Sequence, residues 1–254
     1  MTERHRQGRR DNFRNKWKSR FEYYATHFND DAGIAGWSRT GLEARLRKFK
    51  RVLNENGEPK AGLWLDAGCG AGTYSEYLSS RGMDVLGMDY SVPSLYRARE
   101  RYGKDVQWFS GDVTRVPLTS GSVKGVTCFG VMQALPESDE AIGELARVVD
   151  KDGEILVDGL NFWCLPHLLG ALKRKIRGAP MHLRYEKPSQ VSRLLVMNGV
   201  VNIKRHWLPI LPARFQKYQW ILEAPIMVKL FRVIPPIGAL LSHSFIIYGK
   251  KAKY

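Results

Sequence analysis

The chain has 254 residues, 44% of them hydrophobic and 26% charged, with 40 Lys and Arg against 25 Asp and Glu, a net charge of +15. That length and apolar fraction provide for a domain-sized core and exclude a disordered or collagen-like chain. Three cysteines (Cys69, Cys128 and Cys164) are too few and too scattered for a disulfide framework or a zinc site, so reduced thiols and no bound metal are expected.

The chain begins without an apolar run, and no window approaches the roughly 18 apolar residues of a spanning helix. A cytoplasmic protein is expected, able to lie peripherally on the inner face of the membrane. Its charge is unevenly placed. Residues 1–60 carry net +7, residues 61–160 net −6 and residues 161–254 net +14. An acidic middle therefore sits between two basic ends.

Residues 1–20 include eight Lys and Arg and few apolar residues, which predicts a basic, flexible arm. Trp17, Phe21, Tyr24 and Phe28 then recur at helical spacing. A helix is predicted from Ser38, its cap, to Leu53, ended by Asn56-Gly57. From Gly62 short apolar runs alternate with helical stretches. Strands are predicted at 63–65, 85–88, 106–109, 125–129 and 155–157, with helices at 74–80, 91–101 and 137–149. Such alternation implies a doubly wound, mostly parallel α/β sheet with helices on both faces. Farther on, 165–176 reads as an amphipathic helix, 200–207 as a strand, 214–231 as a helix kinked at Pro225, and 245–248 as a final strand. The expected organisation is one domain over 21–254. Within it, 60–160 binds a cofactor and 161–241 forms a substrate cap with membrane-facing elements.

The chemistry concentrates where the first strand ends. Asp66 is followed by glycines at 68, 70 and 72 and then by a helix. Glycines there admit positive φ and let backbone approach a ligand, while free N–H groups and the helix N-terminus favour an anionic group. A dinucleotide fingerprint needs Gly-x-Gly-x-x-Gly, and here the third glycine comes one residue early. Asp89 ends the second strand, 19 residues after Gly70, where a carboxylate can accept both hydroxyls of a ribose.

The run Leu65-Asp66-Ala67-Gly68-Cys69-Gly70-Ala71-Gly72 resembles motif I of the class I S-adenosylmethionine-dependent methyltransferases. Gly111-Asp112-Val113 resembles the family's adenine clamp. Glu144 to Ile155 resembles the helix-to-fifth-strand turn shared by its small-molecule members. The resemblance covers about residues 60–160 and implies a seven-stranded Rossmann-like methyltransferase fold, with an N-terminal helical arm and cap insertions after strands five and six. It implies S-adenosyl-L-methionine as cofactor, held by Asp66, Ala67, Gly68, Gly70 and Gly72, by Asp89 and Tyr90 at ribose and adenine, by Asp112 and Val113, and by Phe129. The sequence departs from the pattern at Ser122-Val123-Lys124-Gly125 and at Asp150 and Asp152, positions that shape the fold more than the cofactor site.

The acceptor is less legible. No general base is compelled, and His27, His167, His182, His206 and His243 read as structural or surface residues, so no catalytic residue is assigned. Tyr24, Gln133 and Trp163 are the substrate candidates, with Gln133 placed after the fourth strand to position an acceptor. The Asn/Asp-Pro-Pro-aromatic motif of nucleobase amine methylation and the Pro-Cys of cytosine methylation are both absent. The basic ends still keep open an RNA methyltransferase, and a non-catalytic S-adenosylmethionine-binding protein is a further alternative. Aminopropyl transfer would require acidic residues for a polyamine, which the C-terminal third lacks. Basic and apolar faces with interfacial tryptophans point instead to a small-molecule or lipid-like acceptor met at an anionic membrane surface.

Overall fold

The computed structural model describes residues 3–57, 59–103, 105–178 and 183–253. Three helices precede the sheet: α1 (Glu3–His27), α2 (Asp31–Ile34) and α3 (Arg39–Glu55). From Glu3 the residues of the expected basic arm are the first turns of α1. Its later turns are tied to the domain. Trp17 is buried, its ring lies 5.4 Å from that of Phe21, and Arg14 donates to Thr114 Oγ1 at 2.7 Å across the domain. In α3, Ser38 accepts from the Gly41 amide at 3.1 Å as the cap, and Asn56 ends the helix, as predicted.

The α/β unit follows as β1 (Leu63–Ala67), α4 (Thr73–Ser80), β2 (Asp84–Asp89), α5 (Val92–Tyr102), β3 (Val106–Ser110), β4 (Val123–Cys128), α6 (Asp139–Val148) and β5 (Val149–Leu160). Next come α7 (Leu165–Arg177), α8 (Pro188–Met197), β6 (Val200–Leu208), α9 (Gln219–Glu223), α10 (Pro225–Val233), α11 (Pro235–Leu241) and β7 (Ser244–Lys251). One seven-stranded sheet has the order β3-β2-β1-β4-β5-β7-β6. Its first five strands are parallel, and β7 runs antiparallel to both β5 and β6. This is the predicted doubly wound sheet, with α7–α8 and α9–α11 inserted after the fifth and sixth strands. Helix α8 was not foreseen. The long helix expected over 214–231 is also corrected. Ala224 before Pro225 is extended (φ −60°, ψ 143°), and Pro225 and Pro235 each start a new helix, because a residue before proline avoids helical backbone.

Side chains that alternate along a strand feed opposite faces of the sheet. Leu65, Val126 and Ile155 pack with α6 residues such as Ile142 and Leu145 on one face. Trp64, Leu156 and Tyr248 pack with Phe49 and Leu53 of α3 on the other. From β1 the chain winds outward through β2 and β3, then returns to place β4 on the opposite side. The crevice at this switch point, outside the carboxyl ends of β1 and β4, is where open sheets of this kind bind ligands.

Candidate functional site

A cavity of about 750 Å³ opens at that crevice, a size suited to a cofactor. Seven of the predicted cofactor residues line it: Gly68, Gly70, Asp89, Tyr90, Asp112, Val113 and Phe129. At Gly70, with φ +53°, an added Cβ would meet nothing within 4 Å, so open space lies against the backbone there. At Gly68, with φ +77°, the same atom would come 2.1 Å from Val131 Cγ2, so the loop after β1 closes tightly on the loop after β4.

Asp66, Ala67 and Gly72 are not on the cavity wall, a correction to the predicted set. Ala67 is fully buried in the core, and Gly72 packs against Trp108 as α4 begins. Asp66 is also fully buried. It accepts from Ser75 Oγ at 2.6 Å and from Thr127 Oγ1 at 3.1 Å, tying β1 to α4 and β4. Burial raises its pKa to about 6, against the opposing pull of these two hydroxyls. Its task is to hold the loop in place from beneath.

Asp89 sits at the wall, 8% exposed. Its Oδ2 accepts from the Gly70 amide at 2.9 Å and its Oδ1 from the Ser91 amide at 2.8 Å. Burial raises its pKa, and these backbone donors oppose the rise. Each oxygen keeps a lone pair free for a ligand. Asp112 Oδ1 accepts from the amide and the hydroxyl of Thr114, both at 2.8 Å, while Oδ2 faces Arg14 at 3.9 Å. Phe129 stacks on Tyr74 with ring centroids 4.6 Å apart, and Tyr90 meets Phe21 edge-on at 6.3 Å.

Residues 65–157 match the family model described as "Methyltransferase domain". Over these residues the chain is similar to the class I S-adenosylmethionine-dependent methyltransferases. It is 31% identical over 114 residues to the demethylmenaquinone methyltransferase of Renibacterium salmoninarum, covering 44% of this chain and 48% of that relative. It is 35% identical over 112 residues to the malonyl-[acyl-carrier protein] O-methyltransferase of Pectobacterium atrosepticum, covering 43% of each. The chain thus spans less than half the length of either relative. The solved magnesium protoporphyrin IX methyltransferase of Synechocystis PCC 6803 with bound SAH has the same fold, with a TM-score of 0.60 at 17% identity over 97% of this chain and 99% of that one.

The cavity is roofed by elements for which no role at the site was expected. Arg14, Lys18 and Phe21 of α1 line the cavity, and their spacings of 4 and 3 continue the helical stripe that was the available signal. Asp31 of α2 accepts from Thr73 Oγ1 at 2.6 Å and Tyr102 hydroxyl at 2.9 Å and pairs with Arg101, latching the roof to α4 and α5. Only tertiary packing reveals that latch.

A second chamber of about 280 Å³ shares Phe21, Ala35 and Trp37 with the first. Here the structure brings together Tyr24 and Gln133, two of the three predicted substrate residues, with Arg45 and His243. Gln133 Nε2 donates to the Gly130 carbonyl at 2.7 Å. The buried Arg45 guanidinium lies 4.2 Å from the Trp37 ring centroid, donates to Ser244 Oγ at 3.1 Å and stands 3.7 Å from Asp158. Asp158 also accepts from the Gly130 amide at 2.7 Å. Burial raises Asp158 to about 6 and lowers Arg45, each opposed by the other's charge. Burial, then Arg45, pushes His243 down to about 4, leaving a neutral imidazole at pH 7.

Trp163 lies in neither chamber, a correction to its predicted role. It is 44% exposed beside α7, with Lys187 Nζ 5.7 Å from its ring. Among the other histidines, His27 is exposed and His167 stacks on Tyr185 at 3.6 Å, while His182 falls outside the described residues. Among the described residues, no helix is long and apolar enough to cross a membrane and no cluster of His, Cys, Asp or Glu is built to hold a metal.

Proposed function

We propose that the chain is a methyltransferase that uses S-adenosyl-L-methionine and delivers the methyl group to a small, lipid-like acceptor. The observation that carries this reading is the pair of adjoining chambers at the switch point, one walled by the glycine loop, Asp89 and Asp112, the other by Tyr24, Gln133 and His243. The first chamber fits the cofactor in chemistry as well as volume. Gly70 leaves space at its backbone, and Asp89 is a desolvated carboxylate with acceptor capacity unspent. Asp89 would hold the ribose hydroxyls, Asp112 and the Val113 amide the adenine edge, and Tyr90 its face. The cofactor, when bound, supplies an electrophilic methyl group on a sulfonium.

The chain's own residues then have limited work to do, since alignment and exclusion of water account for most of the rate in such a transfer. Phe21 and Trp37 stand between the chambers and exclude water from their junction. Gln133, its amide fixed by Gly130, would orient the acceptor.

Support for a lipid-like acceptor comes from the cap. Helix α7 exposes Leu169 (59%), Leu172 (58%) and Ile176 (78%) beside Lys173, Arg174, Lys175 and Arg177. An exposed apolar stripe flanked by cations suits the interface of an anionic bilayer. The relative named for demethylmenaquinone is consistent with a lipid-like acceptor. The test is incubation of whole-cell lipid and RNA extracts with methyl-labelled cofactor. Label in the lipid fraction is expected. Label in RNA alone would overturn the acceptor class, and cofactor binding with no label anywhere would favour a non-catalytic binding protein.

A further inference from the structure

On the far side of α3 from the glycine loop, a third cavity of about 90 Å³ is enclosed by α3, β6 and the α9–α10 segment. Its walls carry five cations (Arg47, Lys48, Arg51, Arg205 and Arg232) and one carboxylate, Glu223. That carboxylate is already engaged. Arg47 donates to both its oxygens at 2.8 and 2.9 Å, and Gln219 donates to it at 3.1 Å. Glu55, at the edge, lies 3.5 Å from Arg232 and 3.9 Å from His206 Nδ1. Lys48 forms no ion pair among the described residues, and Arg205, next to His206 on β6, belongs to the opposite face of the sheet.

His206 is only 9% exposed, and its Nε2 is buried with no hydrogen-bond partner. Burial and the neighbouring cations push this imidazole down to about 3, and burial pushes half-buried Lys48 down to about 8. Cations crowded into a partly desolvated space repel one another, and an unsatisfied buried polar atom is costly. One small anion would relieve both. The floor (Leu208, Val228 and Phe231) is apolar, and α10 continues outward with exposed Ile226 (76%) and Val233 (68%).

We propose that this cavity binds a phosphate-type oxyanion, with Lys48 and Arg232 as its charge partners and His206 donating from Nε2. The volume admits a phosphate group and excludes a nucleotide, and the adjoining apolar surface suits a phosphate that carries an alkyl tail. A phospholipid headgroup and a free phosphate ester share that chemistry. The inference is independent of the methyl-transfer reading, because none of these residues lines either of the other chambers.

The experiment titrates full-length protein with inorganic phosphate at constant ionic strength, by calorimetry and by nitrogen NMR of the histidine rings. One phosphate per chain and a shifted His206 signal are expected. Affinity should fall about tenfold or more in a Lys48→Gln, Arg232→Gln double variant, as for lost charge-assisted hydrogen bonds. Thermal stability and cofactor binding should not change. Should the double variant fail to fold, Arg232→Gln alone, at a side chain 71% exposed on α10, carries the comparison. An unmoved His206 signal at saturating phosphate, or wild-type affinity in the variants, overturns the site. Vesicles separate the sources. Preference for phosphatidate over phosphatidylglycerol at matched surface charge, lost in the variants, assigns a headgroup. Equal binding to both vesicles together with variant-sensitive binding of glycerol phosphate assigns a free ester.

Discussion

Residues 61–160 carry net charge −6 and residues 161–254 carry +14, and the two regions spend their charges differently. In the first, the key carboxylates are buried and held by neutral donors: Asp66 by Ser75 and Thr127, Asp89 by the Gly70 and Ser91 amides. In the second, Lys173, Lys175 and Arg177 of α7 stand in solvent beside exposed leucines, and the Lys48–Arg232 cavity between α3 and β6 holds more cations than carboxylates. A buried carboxylate fixes backbone and shapes a site. An exposed or under-partnered cation is available to something outside the chain. The first region therefore reads as geometry and the second as recognition.

The sharpest way to break that contrast is at Gly68. Gly68→Ala places a Cβ into Val131 at positive φ and should cost about 2–4 kcal/mol of stability, combining overpacking with the left-handed backbone. Denaturant unfolding would read this. A loss below about 1 kcal/mol would mean that the loop is not tightly packed. Next in size is a pH effect. Asp66 has a folded pKa of about 6 against an ordinary value of 3.8. A raised carboxylate pKa means that its contribution is fully present below the unfolded value and is lost as pH rises through the folded one. Stability should therefore fall by about 2–3 kcal/mol between roughly pH 4 and pH 6 on this group's account. Asp66→Asn should remove that part of the slope and leave the share of Asp158, also raised to about 6, and an unchanged pH profile would contradict the burial argument.

Asp89→Ala should weaken cofactor binding by about 1.5–3 kcal/mol, read by calorimetry, with vesicle binding untouched. The smallest effect lies on the other side of the comparison. Each of Lys173→Gln and Lys175→Gln should weaken binding to anionic vesicles by about 1 kcal/mol, increasingly masked by salt, with cofactor affinity unchanged. Cofactor affinity that followed the α7 charges, or vesicle affinity that followed Asp89, would erase the division between the two regions.

Much of the glycine-loop site was legible because it is local. A strand, a turn and a helix start lie within ten residues, and the left-handed backbone they need leaves glycine as its signature. Even so, the motif did not separate residues that touch the cavity from those that prop it. Asp66 is still within β1, paired with Gly87 of β2 and Thr127 of β4, while Gly68 falls in the turn beyond the end of the strand. The reach of α1 back to Glu3 was not legible, because the charged residues ahead of Trp17 carry little apolar period. The helix breaks at Pro225 and Pro235 turned a foreseen kink into separate helices, and Trp163 drew attention by type when its position is at the surface.

By itself, then, the sequence determined the sheet, its winding and the donor loop, since these follow from short-range periodicity and backbone stereochemistry. The acceptor chamber was decided only by tertiary structure. Arg45 meets Ser244 across 199 residues, and Tyr24 meets Gln133 only because α1 folds back over the crevice. No spacing along the chain encodes such meetings. They arise when a buried stripe on one helix finds the one face of the sheet still open to it.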